Sequence, residues 1–208
     1  MCKLNIFLHM KKVLYSLTLV VVFLASVSFA SAQEQKKNNW FVGAGAGINM
    51  LYDNRAVSSP AFAADLFAGD WITPAFGLRA GFHGIKCKPA EGFEHWFSKD
   101  AAFNLFELNV DALWNFTKYQ PNKMWTPALY ARVSGILGSV KGDTRVVPGV
   151  GAGFYNQFHI KKRLSLYVDV NAVATSEPAF RTDGFEGRFL FFPSVTFGVV
   201  YDLGVRGF

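Results

Sequence analysis

The chain is organised by an alternation of apolar and polar positions, which is plainest over residues 104–116, NLFELNVDALWNF. Here Leu108 and Val110 are followed in turn by Asn109 and Asp111. Successive side chains of a β-strand point to opposite faces, so this period of two predicts a strand with one apolar and one polar face. The apolar face could line the core of a soluble protein or contact lipid, and that choice determines the function.

The same alternation recurs in eight segments of the chain. They are residues 40–52, 61–70, 75–84, 104–116, 127–138, 147–158, 163–176 and 191–203. Short turns tend to follow the even-numbered segments and longer loops the odd-numbered ones, above all residues 85–101 and 177–188. The sequence therefore predicts an all-β fold, an eight-stranded antiparallel up-and-down β-barrel.

The amino-terminal part of the chain has the features of an export signal. From Met10, an alternative start codon, a basic start and an apolar run lead to the small-residue site Ala30-Ser31-Ala32. This pattern predicts a secretory signal peptide over residues 1–32 that is cleaved from the mature protein. The remaining chain is expected to comprise a short periplasmic lead-in (33–39), the outer-membrane barrel (40–203) and a periplasmic tail (204–208).

Composition excludes several classes of protein. The leader contains three lysines and no acid, so the mature chain is less basic than the full chain, whose formal charge is +6, and nucleic acid is not an expected partner. Cys87 is the single cysteine outside the leader, so no internal disulfide is expected. Neither a metal site nor a cofactor is predicted, because no His/Cys/Asp cluster has ligand spacing, and no helix follows the strand glycines to hold a phosphate.

The distribution of lysine indicates which way the barrel faces. No lysine of the mature chain falls inside the eight segments, although a soluble barrel would be expected to carry lysine on its wet face. The polar faces instead combine Gly, Asn, Ser and Tyr with a few charges of both signs, a composition that suits a crowded interior. A transmembrane barrel with its apolar face in lipid is predicted; a soluble lipocalin-like binder is the alternative.

Aromatic residues support the lipid-facing interpretation. They occur on or near the apolar face, close to the strand ends away from the long loops, where an interfacial girdle is expected. The predicted girdle consists of Trp40, Trp114, Trp125 and Phe158, with Phe76, Phe116 and Tyr201 nearby.

The inward positions predict a polar network. Its expected members are Asp65, Arg79, Glu107, Asp111, Tyr130, Arg132, Tyr155 and Asp169. Counting along the hairpins places Arg79 opposite Asp65, if their turn centres near residues 71–72. It likewise places Arg132 opposite Asp111, if that turn centres near residues 121–122. Because eight strands enclose a space that their own side chains can fill, a structural plug is predicted. A water or ion path, as in a small porin-like channel, is the alternative.

Several short stretches of the chain resemble a known family. The phrases FVGAGAGI, ITPAFGLRAGFHG and VGAGFYNQFHIKKRLSLYVDV are similar to small eight-stranded outer-membrane barrels of the OmpA membrane-domain and OmpX type, particularly Bacteroidetes-like versions. TFGVVYDL resembles their carboxy-terminal assembly signal, at Thr196, Gly198, Tyr201 and Leu203.

The resemblance implies location in the outer membrane of a Gram-negative bacterium. It also implies contact with outer-membrane lipid and lipopolysaccharide, and docking on the barrel assembly machinery through the last strand. The tail departs from the pattern, because Phe208 is out of register with Tyr201 and Leu203. The peptidoglycan-binding domain of larger OmpA proteins is not expected here.

An enzymatic role is a separate possibility, since some eight-stranded barrels modify lipid A. By parity His83 points inward, and His159 belongs to a turn. His95 lies in a loop beside Glu94 and near Ser98, which does not by itself define a nucleophile and its base. The sequence therefore predicts no enzyme, with a lipid A-modifying acyl hydrolase or transferase as the alternative.

The long loops are where a surface interaction would be expected, because functional variation concentrates in loops. Phe93, Trp96 and Phe97 could contact an extracellular ligand or lipopolysaccharide, or could instead fold onto the barrel rim. The predicted function is a structural role in envelope integrity together with surface interaction.

Overall fold

The computed structural model describes residues 39–53, 56–57, 59–87, 103–117, 124–140, 143–176 and 189–203, all of which belong to one compact unit, Asn38–Phe208. Among these residues, no helix is long and apolar enough to cross a membrane. The regular elements are β-strands: β1 Trp40–Asn49, β2 Tyr52–Asp53, β3 Ala56–Val57, β4 Ala61–Trp71, β5 Phe76–Cys87, β6 Phe103–Trp114, β7 Trp125–Val140, β8 Asp143–His159, β9 Leu164–Ser176 and β10 Phe189–Asp202.

The sheet closes on itself. Each of the eight long strands pairs antiparallel with its neighbours along the chain, in the order β1, β4, β5, β6, β7, β8, β9 and β10. The first long strand also pairs with the last, from Phe41 opposite Asp202 to Asn49 opposite Ser194. Each long strand therefore has a neighbour on both sides, and the predicted eight-stranded up-and-down barrel is confirmed. The two-residue strands β2 and β3 form a small extension beside β10.

The two ends of the barrel differ in their connections. At one end, called the short-turn end, residues 72–75 join β4 to β5 and residues 160–163 join β8 to β9. At the other, called the long-loop end, the strands lead into residues 88–102 and 177–188, which lie outside the described part of the chain.

Burial alternates along the strands as the sequence pattern predicts. In β1 Phe41 and Asn49 are buried inside the barrel, whereas Val42 and Ile48 are exposed on its outer surface. Among the described outward positions of the long strands, the charged side chains are Asp70 near the short-turn end and Lys86 near the long-loop end. The outer wall between these two levels is uncharged.

Lys86 corrects one expectation from the sequence. The third segment was expected to stop at residue 84, so that lysine stayed outside the strands, but β5 continues to Cys87. Its pairing with β6 continues as well, with Lys86 opposite Asn104. Lys86 is therefore an exposed side chain on the outer face of a strand, close to the rim.

The register of the β4–β5 hairpin corrects another expectation from the sequence. Asp65 lies opposite His83, and Arg79 lies opposite Gly69, so the predicted pairing of Arg79 with Asp65 was wrong. The hairpin is centred near Pro74, because β4 continues until Trp71 is buried inside the barrel. The turn is then closed by Thr73, whose Oγ1 accepts a hydrogen bond of 2.9 Å from the Phe76 amide.

Candidate functional site

The interior of the barrel is layered. Toward the short-turn end lies a mainly apolar and aromatic cluster: Phe41, Phe67, Trp71, Leu113, Ala128, Tyr130, Tyr155, Tyr167 and Val200. Toward the long-loop end, the polar Asn49, Thr175 and Ser194 are buried together with a further set of apolar side chains: Ile85, Leu105, Ile136, Val147, Val173, Leu190 and Phe192. The linked charged side chains Arg79, Arg132, Glu107, Asp111 and Asp169 lie between these two layers, whereas the buried Asp202 lies at the short-turn end.

Arg79 is the centre of the charged layer. Its Nε donates to Asp111 Oδ2 at 2.8 Å, and its Nη2 donates to Asp169 Oδ2 at 2.9 Å. Asp111 is on the neighbouring strand β6, whereas Asp169 is on β9 across the lumen. The guanidinium therefore ties opposite walls of the barrel together, and its two partners keep a buried cation neutralised.

Arg132 extends the network from β7. Its Nε and Nη2 donate to the two oxygens of Asp111 at 2.7 and 3.1 Å, a bidentate pair of the kind that guanidinium geometry favours. Its Nη1 lies 3.5 Å from Glu107 Oε2. The register supports both contacts, because Asp111 lies directly opposite Arg132 in the β6–β7 pair.

Aromatic rings surround these cations. The guanidinium of Arg79 lies 4.7 Å from the ring centroid of Tyr130 and 4.9 Å from the centroids of Phe67 and Tyr155. Tyr130 also donates its hydroxyl to Asp169 Oδ1 at 2.7 Å. Arg79 is thus held both by charge pairs and by cation–π contacts in a site shielded from water.

A second polar pair lies nearer the long-loop end. His83 Nδ1 is joined to Asp65 Oδ1, and Tyr167 donates its hydroxyl to Asp65 Oδ2 at 3.4 Å. His83 also lies opposite Glu107 in the β5–β6 register. This pair was missed in the sequence, although parity placed both residues inward, because the turn was centred two residues too early.

Little space remains between these groups. A cavity of about 10 Å³ lies among Asp65, Arg79, Asn109, Arg132 and Asp169. A volume of this size accommodates about one water molecule.

The structure places all eight predicted network residues inside the barrel. All eight are joined by the contacts above, in two groups, and Tyr155 also packs against Phe67 and Tyr167 with ring centroids 6.2 and 5.7 Å apart. Neighbouring inward glycines make room for the rings, since a Cβ at Gly153 would collide with Tyr130 and one at Gly45 with Tyr167.

The predicted girdle lies at the short-turn end. Trp114, Trp125 and Phe158 are exposed on the outer wall, Trp125 opposite Phe158, and Trp40 is half-buried. A second set of outward aromatics, which the sequence analysis did not single out, lies toward the long-loop end: Phe62, Phe82, Phe106, Phe189 and Phe191. The uncharged wall is therefore bordered by aromatic residues at both ends.

The predicted assembly signal is divided between the two faces of β10 and the residue after it. Thr196 and Gly198 face the lumen, with Thr196 fully buried, whereas Tyr201 and Leu203 are exposed on the outside. The tail 204–208 and the candidate loop contacts Phe93, Trp96 and Phe97 lie outside the described residues, as does His95.

His159 has a structural setting that sequence reasoning missed. One ring nitrogen is 2.9 Å from Thr126 Oγ1, and the other is 2.8 Å from Ser165 Oγ. These two contacts join strands β7, β8 and β9 at the short-turn end. Ser165 is fully buried, so its hydroxyl has no access to a lipid. The described residues contain no group of three or more His, Cys, Asp or Glu side chains arranged to hold a metal ion.

Comparison with known proteins identifies the fold but not a family. No protein-family model matches the chain, and no curated protein matches it. Among solved structures, Neisserial surface protein A is similar over 81% of this chain and 100% of its own, with a TM-score of 0.59 and 15% sequence identity. Ail, the attachment invasion locus protein of Yersinia pestis, covers 80% of this chain and 100% of its own at 9% identity and a TM-score of 0.48. The outer membrane protein OprG from Pseudomonas aeruginosa covers 79% and 96% at 11% identity and a TM-score of 0.44. The chain thus has the fold of the small eight-stranded outer-membrane barrels.

Proposed function

We propose that this protein is an integral outer-membrane β-barrel of a Gram-negative bacterium, of the OmpA membrane-domain or OmpX type, with a structural role in the envelope and a surface-interaction role. The observation that carries the proposal is that the apolar and charged faces of the barrel wall are exchanged relative to a soluble barrel. Its outward positions are apolar, while its ionised side chains are buried and paired inside. A barrel in water would gain nothing from this arrangement, whereas a barrel in lipid requires it.

The height of the uncharged wall supports the same placement. On β5 it extends from the exposed Phe76 to Lys86 at the opposite end. Strand residues advance about 3.3 Å each, and barrel strands tilt by about 40°, so this stretch spans about 25 Å along the barrel axis. That is about the height of the apolar band of outer-membrane barrels. The aromatic residues at both ends would lie at the two interfaces.

The orientation follows from the connections. Short turns face the periplasm in outer-membrane barrels and long loops face outward. The surface-interaction role is assigned to the loops after β5 and β9, where Phe93, Trp96 and Phe97 are the candidate contacts with an extracellular ligand or lipopolysaccharide. Thr196, Gly198, Tyr201 and Leu203 are assigned to docking on the barrel assembly machinery.

A plugged lumen is the mechanism that the interior favours over a channel. The cavity among the charged side chains has space for about one water molecule, and large apolar side chains are buried on both sides of it. An ion would have to pass these apolar side chains and displace paired charges, at a large cost in desolvation. The barrel is therefore proposed to act through its wall and its loops, and not as a transport path or an enzyme.

The proposal is tested by membrane fractionation combined with gel mobility of unboiled and boiled samples. We expect the protein in the outer-membrane fraction, with a heat-dependent mobility shift that reports a closed barrel. A soluble protein that needs no detergent would overturn the proposal and would imply an apolar-ligand binder. Planar-bilayer recordings test the plug separately: the wild type should give no steady conductance, and regular single-channel steps would contradict a filled lumen.

A further inference from the structure

One surface at the short-turn end carries a cluster of charge that the barrel itself does not require. The β8–β9 turn presents three cations in succession, Lys161, Lys162 and Arg163, all exposed. Ile160, immediately before them, is exposed as well. The other described short turn, residues 72–75, carries no charge. A tight turn needs no such cluster, and like charges side by side repel one another.

The backbone of this basic turn is fixed. The amides of Ile160 and Lys161 both donate to the Leu164 carbonyl at 3.0 Å. The Arg163 carbonyl accepts a hydrogen bond of 2.9 Å from the amide of Asp202 on β10. The turn is thereby anchored to two strands, and its cations project from a rigid support that loses little conformational freedom when a ligand binds.

No internal partner neutralises this charge within the described residues. The ion pairs of the described chain lie in the lumen and involve Arg79, His83 and Arg132. The side chains of the turn lie outside the lumen and are exposed, so an anion of another molecule can reach them.

The position of the turn identifies the kind of anion. Phe158 and Leu166, which flank the turn on β8 and β9, are exposed on the outer wall and lie opposite each other in register. Trp125, opposite Phe158 on the other side, belongs to the aromatic girdle. Girdle residues lie at the level of the lipid headgroups, so the three cations lie at or just beyond that level.

We propose that the basic turn Lys161–Arg163 is a docking site for anionic phospholipid headgroups of the membrane leaflet at the short-turn end. The phosphates contact the lysines and the arginine, while the first part of the acyl chains lies against Phe158, Leu166 and Ile160. This inference rests on the proposed membrane placement of the barrel. Each cation near an anionic surface strengthens attraction by on the order of five-fold, so three together give a preference well above that of an uncharged turn.

Lipid selectivity in reconstituted vesicles tests the site. The mature chain is folded into phosphatidylcholine vesicles that contain either brominated phosphatidylglycerol or brominated phosphatidylcholine. Quenching of tryptophan fluorescence then gives the relative association of the two lipids, with Trp125 close to the turn. The test variant is Lys161→Gln/Lys162→Gln/Arg163→Gln, and the control is Lys86→Gln at the opposite end of the barrel. Both leaflets contain the anionic lipid, so the direction of insertion does not affect the result.

The wild type and the control are expected to prefer phosphatidylglycerol several-fold, with the preference lost in the triple variant and reduced by high salt. An unchanged preference in the triple variant, or none in the wild type, would overturn the docking site and favour an acidic protein partner. If the triple variant does not fold, Lys162→Gln alone should reduce the preference by up to about five-fold. Gel mobility of the same samples separates the two proposals. A chain that never shows a heat-dependent shift would overturn the proposed membrane barrel, whereas a folded barrel without lipid preference would overturn only the docking site.

Discussion

Leu78 and Arg79 are adjacent in the sequence and lie on opposite sides of the barrel wall. Leu78 is 42% exposed on the outside, whereas Arg79 is 2% exposed inside, between two carboxylates. In a soluble protein the leucine would be covered and the arginine would reach water. The proposed membrane placement accounts for this reversal, because lipid covers an apolar side chain but cannot solvate a charge, which must find its partners within the protein.

The largest effect is expected from replacing Arg79, the inward residue of this pair. Replacing Arg79 with Met leaves Asp111 and Asp169 without their shared cation in a nearly dry interior, so unfolding free energy should fall by about 3–5 kcal/mol. Leu78→Met is the matched control and should change stability by less than about 1 kcal/mol, since volume is retained. Urea unfolding in lipid vesicles, followed by gel mobility, measures both. Equal losses for the two variants would mean that Arg79 is not buried among charges.

The outer face can be tested by placing a charge on it. Val133→Lys puts an ammonium group near the middle of the uncharged wall and should destabilise the barrel by about 2–4 kcal/mol. Val146→Lys, on the neighbouring strand closer to the long-loop end, should cost only about 0–1 kcal/mol, because the cost falls toward the interface. The same unfolding assay measures the depth dependence. If neither lysine changes the stability, the outer face contacts water and the assignment of the two faces is reversed.

A smaller change tests a single bond inside the network. Tyr130→Phe removes the hydroxyl that donates to Asp169 at 2.7 Å, while the ring over Arg79 remains. A hydrogen bond to a charged group is worth about 1.5–3 kcal/mol, and stability should fall within that range. Tyr201→Phe, on the exposed outer face, provides the control and should have little effect. If Tyr130→Phe leaves the unfolding free energy unchanged, water replaces the hydroxyl.

The strand pattern made one part of this comparison predictable and left another part open. A period of two gives the face of each residue, and in the eight strands the predicted inward and outward positions agree with the observed burial. It does not give the register, because a shift of two residues in the turn moves partners without changing faces. That is why Arg79 was wrongly placed opposite Asp65, whereas Arg132 and Asp111 were placed opposite each other as found.

Contacts across the lumen were beyond the reach of sequence reasoning for a different reason. Arg79 and Asp169 are 90 residues apart and lie on strands that do not pair with each other. Their contact depends on the barrel's diameter and on the shear between strands, which position-by-position alternation does not encode. The second aromatic border at the long-loop end could have been identified, since Phe62 and Phe82 lie on the apolar faces that the pattern defined.

The smallest effects should come from glycines on the two faces. Gly153 points inward, where a Cβ would collide with the ring of Tyr130, so Gly153→Ala should destabilise the barrel by about 1–3 kcal/mol through overpacking. Gly135 points outward, and its nearest neighbour, Val146 Cγ1, would lie 3.8 Å from the new Cβ. Gly135→Ala should therefore be neutral or stabilising by up to about 1 kcal/mol, because alanine restricts the unfolded chain. Urea midpoints of the two variants measure the contrast. Equal tolerance would mean that the lumen has space to spare around Tyr130, which would count against the proposed plug.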